Sequence, residues 1–146
     1  MRPRSFTFMI TLFLCVVIVV AAMKGDYVCC VHDEMQQIYP LMEAADVIVF
    51  CTPVYWYGPS AKMKLPIDRL RPYVEANRLR GKRAILVSPS AEGPVACDPL
   101  LEMFRRMFLY LKMEFAGKAL VKAYDKCEIA ENKKELKKAF ALGASL

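Results

Sequence analysis

Apolar positions along this chain recur in two rhythms. The run VIVFC from Val47 to Cys51 is unbroken and rich in β-branched and aromatic residues, which predicts a central parallel strand buried on both faces. Thr52-Pro53 ends it, because proline gives no ladder donor and biases the residue before it towards extended backbone. Residues 84–87 (AILV) and 119–124 (ALVKAY) predict two further strands. Between the strands the spacing turns helical. Met35, Ile38, Met42 and Ala45 share one face behind Asp33, with Gln36 at capping-box distance. Ser60 offers a cap to a helix starting near Ala61, and Asp98 as cap with Pro99 opens another that carries Met103, Phe104, Met107, Phe108 and Leu111. Asn132 and Glu135 cap a last, basic helix. Pro40 and Pro66 each fall inside a helical pattern and remove an interior hydrogen bond. Strands alternating with helices predict an α/β fold with a parallel sheet.

The first 23 residues follow neither rhythm. Residues 6–23 carry no charge and only two threonines, behind Arg2 and Arg4. That length is near the minimum for a membrane span. It also suits a signal-like segment with Val20 and Ala22 near a cleavage site, or, through CVVIVV at 15–20, a strand covering a sheet edge. Residues 1–23 are therefore set apart from one domain at 24–146.

Composition narrows the function. With 146 residues, 56% of them apolar and 25% charged, the chain supports one real core. The net charge of +6 is densest at Lys133, Lys134, Lys137 and Lys138, but Leu136, Ala139 and Phe140 lie among them. This is the pattern of a solvated helix face, and no nucleic-acid signature accompanies it. Cysteines at 15, 29, 30, 51, 97 and 127 fit no zinc spacing and read as reduced thiols, with Cys51 inside a buried strand. His32, the one histidine, reads as a surface residue, and no metal site is expected. Tyr55, Trp56 and Tyr57, on a turn closed by Gly58-Pro59, follow the first strand directly. In an open α/β sheet, ligands bind beyond the carboxyl ends of the strands. The second crevice loop is expected at Ser88-Pro89-Ser90 and onward to Gly93.

A strand ending in TPVYW, a small turn, SAKMK with IDR beyond it, and a preceding helix that begins DEMQQIY and ends EAADVIV together resemble the NADPH-dependent FMN reductase branch of the flavodoxin-like proteins. The likeness runs from residue 25 to about 124. It implies a three-layer flavodoxin-like sandwich with a parallel sheet. Members of that family begin with a strand, a GSPRxxGNT phosphate loop, a helix and a second strand, for which residues 1–23 hold no counterpart. The expectation is thus a fold lacking its first strand-helix-strand unit.

The same resemblance implies FMN across the strand ends, with Thr52, Pro53, Val54, Tyr55, Trp56 and Gly58 lining one side of the ring and Ser88, Pro89 and Ser90 the other. Hydride passes from NAD(P)H to the flavin and on to a small-molecule acceptor, so no side chain is assigned as catalytic acid or base. Some relatives carry an iron-sulfur cluster on cysteines before the DEM-type helix. Only Cys29 and Cys30 stand there, so no cluster is expected. Dimers of the family imply a homodimer in which part of the Met103–Leu111 face meets a second copy; the plainer reading is core packing. A cytoplasmic location follows from the use of NADPH, with membrane anchoring through 6–23 as the alternative. The alternative function is a non-catalytic remnant or interaction module, because loss of the phosphate loop removes on the order of 5 to 10 kcal/mol of charge-assisted hydrogen bonding.

Overall fold

The computed structural model describes residue 29 and residues 31–125 and 128–145. The segment 6–23, with its three readings, lies outside them. In chain order the elements are α1 (Met35–Ala44), β1 (Val47–Cys51), the short strands β2 (Val54–Tyr55) and β3 (Gly58–Pro59), α2 (Ala61–Asp68), α3 (Arg71–Ala76), β4 (Arg83–Ser90), a 3-10 turn (Pro94–Cys97), α4 (Asp98–Tyr110), β5 (Glu114–Lys122), α5 (Glu128–Glu131) and α6 (Lys133–Ala144). β1, β4 and β5 form a parallel sheet in that order.

Alternation along the strands decides where the core sits. Ile48 and Phe50 of β1 face the same way as Ala84 and Leu86 of β4, and onto them pack Met35, Tyr39 and Met42 of α1, Tyr73 of α3, and Leu100, Phe104 and Phe108 of α4. The Phe50 ring lies 5.6 Å from Phe104 and 5.3 Å from Phe108, and Phe108 lies 5.5 Å from Phe115. Edge-to-face and tilted pairs at these separations add to what burial alone contributes. Three helices thus share one face. The bulge in β5 opposite Ala84 and Ile85 then sets Gly117 beside Ile85 on the other face. There α6 approaches so closely that a Cβ on Gly117 would lie 2.4 Å from Leu142 Cδ1.

Caps follow the sequence closely at two helices. Ser60 Oγ accepts from Met63 N, and Asn132 Oδ1 accepts from Glu135 N. Asp33 Oδ1 accepts from Met35 N, but Gln36 does not close a capping box; its amide donates instead to the carbonyls of Cys29 and Val31. α1 ends on Lys82, whose ammonium donates to the carbonyls of Glu43 and Ala45 at 2.6 and 2.7 Å. A cation on the last open carbonyls suits the negative end of a helix. Both prolines are accommodated inside their helices, Pro40 in α1 and Pro66 in the eight-residue α2.

Five expectations are corrected. β1 is an edge strand among the described residues, with Val49 55% exposed and Cys51 exposed, so its apolar run is not a sign of burial on both faces. β4 runs on through Ser88, Pro89 and Ser90, which β5 pairs residue by residue; the loop begins at Ala91. β5 starts at Glu114 rather than 119, its early residues being too mixed in polarity to announce a strand. On α1 the buried face is Met35, Tyr39 and Met42, while Ile38 points outward. Asp98 is also the first residue of α4 rather than its cap.

Candidate functional site

Pro53 stops β1, and the residues that follow are folded back by Thr52. This threonine is 1% exposed. Its N–H donates to Val87 O at 3.0 Å, continuing the ladder, and its Oγ1 accepts from Ser60 N at 3.0 Å. Ser88 Oγ donates to Thr52 O at 2.7 Å. One buried side chain therefore ties the end of β1 to the cap of α2, and a second ties it to β4.

Held at both ends, residues 54–59 close into a hairpin. Val54 pairs with Pro59 and Tyr55 with Gly58, leaving Trp56 and Tyr57 as a two-residue turn. Both adopt left-handed backbone, at φ 50° and 63°, the combination of a type I′ turn, which more often carries Asn-Gly. For L-residues this conformation costs roughly 1–2 kcal/mol each. Such outliers persist where the surroundings over-determine them. The ring of Trp56 is 97% exposed, with Tyr55 and Tyr57 exposed on either side. The turn N–H groups of Trp56 and Tyr57 have no acceptor among the described residues.

Across from the hairpin, Ser88 and Ser90 are buried in β4. Their role is to hold the strand ends. Ser90 O accepts from Gly93 N and Ala123 N, and Gly93, at φ 86°, turns the chain into Pro94–Cys97. The exposed surface on this side is Ala91, Glu92, Pro94 and Val95. The dipeptide Gly93-Pro94 signalled that turn in the sequence. Cys97, beneath it, is fully buried, and burial pushes its thiol pKa up. The structure thus brings Thr52, Pro53, Val54, Tyr55, Trp56 and Gly58 together at the carboxyl end of the sheet, and places Ser88, Pro89 and Ser90 in the adjacent strand.

A second polar cluster lies at the start of α1. Arg69 donates to Asp33 through both terminal nitrogens, at 2.6 and 3.2 Å, to Val31 O at 3.1 Å, and through Nε to Cys29 Sγ at 3.1 Å. The guanidinium holds the Asp33 carboxyl below its usual range. Burial works to lower the Arg69 pKa, but Asp33 and Cys29 outweigh it and the group is held more firmly charged. Tyr39 OH donates to Arg69 O at 2.6 Å, and burial raises its pKa. Nearby, Tyr73 OH lies 3.0 Å from Tyr39 O and 2.8 Å from Glu43 Oε1. That hydrogen bond, with Arg78, keeps Glu43 below its usual range. A half-open cavity of about 200 Å³ sits between these residues, below the 300–1,000 Å³ common for small-molecule sites. Arg69, Tyr39 and Tyr73 all donate to protein acceptors here, which is the pattern of a structural tie. Among the described residues no three His, Cys, Asp or Glu side chains gather as a metal site, and no helix is long and apolar enough to cross a membrane.

Comparison with known proteins gives a consistent picture. The family model described as NADPH-dependent FMN reductase matches residues 14–125. A Bacillus subtilis protein, YwqN, named as an NAD(P)H-dependent FMN-containing oxidoreductase, is 28% identical over 98 residues, covering 62% of this chain and 54% of that protein. An iron-sulfur flavoprotein of Methanocaldococcus jannaschii is 30% identical over 94 residues, covering 64% of this chain and 49% of its own length. The chain spans about half the length of these curated relatives. Among solved structures, the Trp repressor binding protein from Bacillus subtilis superposes with a TM-score of 0.69 at 27% identity, covering 77% of this chain and 71% of that one. General stress protein 14 from Treponema denticola, solved in complex with FMN, shares the fold with a TM-score of 0.58 at 21% identity, over 77% of this chain and 74% of that one. The fold is flavodoxin-like.

Proposed function

The chain belongs to the NADPH-dependent FMN reductase family, and on that premise we propose that it serves flavin-dependent oxidoreduction at the carboxyl ends of β1 and β4. The observation that carries this reading is the hairpin at Tyr55–Gly58. Two aromatic residues stand in costly left-handed backbone between the anchoring contacts of the buried Thr52 and Ser88 and of Ser60, and among the described residues the turn offers open N–H groups beside exposed rings. A flat, heteroaromatic group with carbonyl oxygens suits that surface. FMN, when bound, supplies the redox chemistry, taking hydride from NAD(P)H and passing electrons to a small acceptor.

The part left to this chain's own residues is binding and orientation. The rings of Tyr55 and Trp56 give stacking area, the N–H groups of Trp56 and Tyr57 give hydrogen bonds, and Ala91–Val95 form the opposite rim. Ser88 and Ser90 act from beneath by fixing the strand ends. No side chain of the shelf is placed as an acid or base. Two copies pairing through α4, where Leu109 and Tyr110 remain exposed, belong to the same reading.

A second reading, an interaction module without catalysis, draws on one specific observation. The described residues contain no glycine-rich loop to hold a phosphate, so the shelf fits the ring half of FMN better than the phosphate half. Titration of the chain with FMN separates the two, following emission from Trp56, the only tryptophan. Saturable quenching at micromolar FMN, followed by NADPH oxidation in the loaded protein, is the expected result. An unchanged signal up to millimolar FMN in folded protein rejects the enzyme reading and leaves the module.

A further inference from the structure

The ladder between β1 and β4 advances in fixed steps. Arg83 N donates to Asp46 O ahead of the first pair, and Thr52 N donates to Val87 O beyond the last, both at 3.0 Å. With Val47 opposite Arg83 and Cys51 opposite Val87, odd-numbered residues of β4 and even-numbered residues of β1 turn their peptide groups towards each other. The ladder to β5 takes no bond from residue 89. The next step towards β1 calls for one, a donor from residue 89 to Thr52 O, and residue 89 is proline, which has no N–H to give.

Ser88 Oγ fills that gap. It donates to Thr52 O at 2.7 Å from a fully buried side chain. Thr52 is itself almost without exposed surface, and a buried acceptor stripped of its donor costs more than the bond is worth. Thr52 then passes the constraint on. Its Oγ1 accepts from Ser60 N and donates to Pro53 O, each at 3.0 Å, so both ends of the aromatic hairpin hang from this one threonine. These contacts also occupy the floor of the crevice. Thr52 O is taken by Ser88 and Pro53 O by the threonine hydroxyl. A ring that arrives there finds no donor on Pro53 or Pro89, which leaves the turn at Trp56 and Tyr57 to supply one.

We propose that Ser88 is a positioning residue: its hydroxyl stands in for the ladder donor that Pro89 lacks and, through Thr52, holds the Trp56-Tyr57 turn in its left-handed setting. The use of that turn for a ring rests on the flavin reading above, whereas its setting is read without any ligand. The test compares Ser88→Ala with the double variant Ser88→Ala, Pro89→Ala, which returns a backbone N–H to position 89. In the intact chain without flavin, NMR follows the Hα–HN NOEs and Cα shifts of Trp56 and Tyr57, which report their left-handed backbone, with β4 and α4 amides as the check on folding. Ser88→Ala is expected to lose the left-handed signature and the double variant to regain it. Lumiflavin, the ring without its phosphate tail, is then titrated against Trp56 emission. Its dissociation constant is expected to rise about tenfold in Ser88→Ala, the effect of one unmet buried acceptor, and to return towards wild type in the double variant. A merely steric role for Ser88 predicts no recovery from a change at its neighbour. Ser88→Ala that keeps the turn, or a double variant no better than the single one, overturns the proposal. If Ser88→Ala unfolds, a double variant that folds supports the proposal and one that stays unfolded overturns it. Wild type that binds lumiflavin no more tightly than Ser88→Ala overturns the proposal and leaves the flavin reading standing. Wild type that ignores lumiflavin, while the turn responds to the variants as stated, overturns the flavin reading and supports the proposal.

Discussion

The two faces of the sheet are built on different terms. On the Phe50 face, three helices bring Met35, Tyr39, Met42, Tyr73, Leu100, Phe104 and Phe108 into one continuous cluster. On the opposite face α6 is seated over Gly117, while Phe140 of the same helix is 79% exposed and Val49 stays open to solvent. The first face needs nothing from outside the described residues to be buried. Among the described residues the second is covered by α6 alone, and its exposed apolar residues gain from anything that covers them. Stability and availability for further contact are thus divided between two sides of the same three strands.

Substitutions at the two faces test that division. The largest expected effect is Phe104→Ala, which removes a ring packed on Phe50 and Phe108 and costs about 3–5 kcal/mol. Phe140→Ala should stay within about 0.5 kcal/mol. Urea denaturation of both variants checks the contrast, and equal losses would mean that the second face is as well packed as the first. Gly117→Ala comes next. Its Cβ would meet Leu142 inside van der Waals contact, so overpacking should cost about 1–3 kcal/mol. Because the clash is with one side chain, Leu142→Ala in the same protein should restore much of the loss, a coupling that a double-mutant cycle measures.

The smallest expected effect is electrostatic and belongs to the tie beside the first face. Asp33 and Glu43 are both held below their ordinary values of 3.8 and 4.5. A carboxyl with a lowered folded pKa contributes stability that is complete above its unfolded pKa and is lost as pH falls through the folded one. The denaturation midpoint should therefore fall as pH drops below about 4.5 towards 2. The Asp33→Asn, Glu43→Gln double variant should flatten that slope by about 1 kcal/mol or less, since both groups are partly exposed and screened. An unchanged slope would remove the Arg69 and Tyr73 contacts from the list of what holds α1 in place.

The parts of this architecture that were legible in the sequence are those decided by local chemistry. The bounds of β1, the caps at Ser60 and Asn132, and the packing stripe of α4 follow from hydroxyl, amide and apolar positions a few residues apart. What the sequence concealed was decided by neighbours. VIVFC has the composition of a doubly buried strand, yet burial depends on what lies across the edge. Ser88-Pro89-Ser90 reads as a turn, but β5 pairs with it, and proline is tolerated where the ladder has no need of its N–H. Tyr39 replaces Ile38 in the core because its hydroxyl finds Arg69 O, a partner thirty residues away. At the candidate site, the aromatic loop was apparent from Tyr55-Trp56-Tyr57 and the break at Gly58-Pro59. Its left-handed turn was not, since no glycine or asparagine occupies either central position.

Cys97 gives the shelf a clock. Its thiol sits directly under the Gly93 turn, with no exposed surface and a pKa raised by burial. Thiol reagents attack the thiolate, so alkylation of this one sulfur must wait for the floor of the shelf to open. When closing outpaces reaction, the labelling rate is proportional to the open fraction. Anything that settles on the closed shelf then slows the labelling of Cys97 in proportion to its occupancy, and peptide mapping of a single cysteine becomes a binding isotherm that needs neither colour nor turnover.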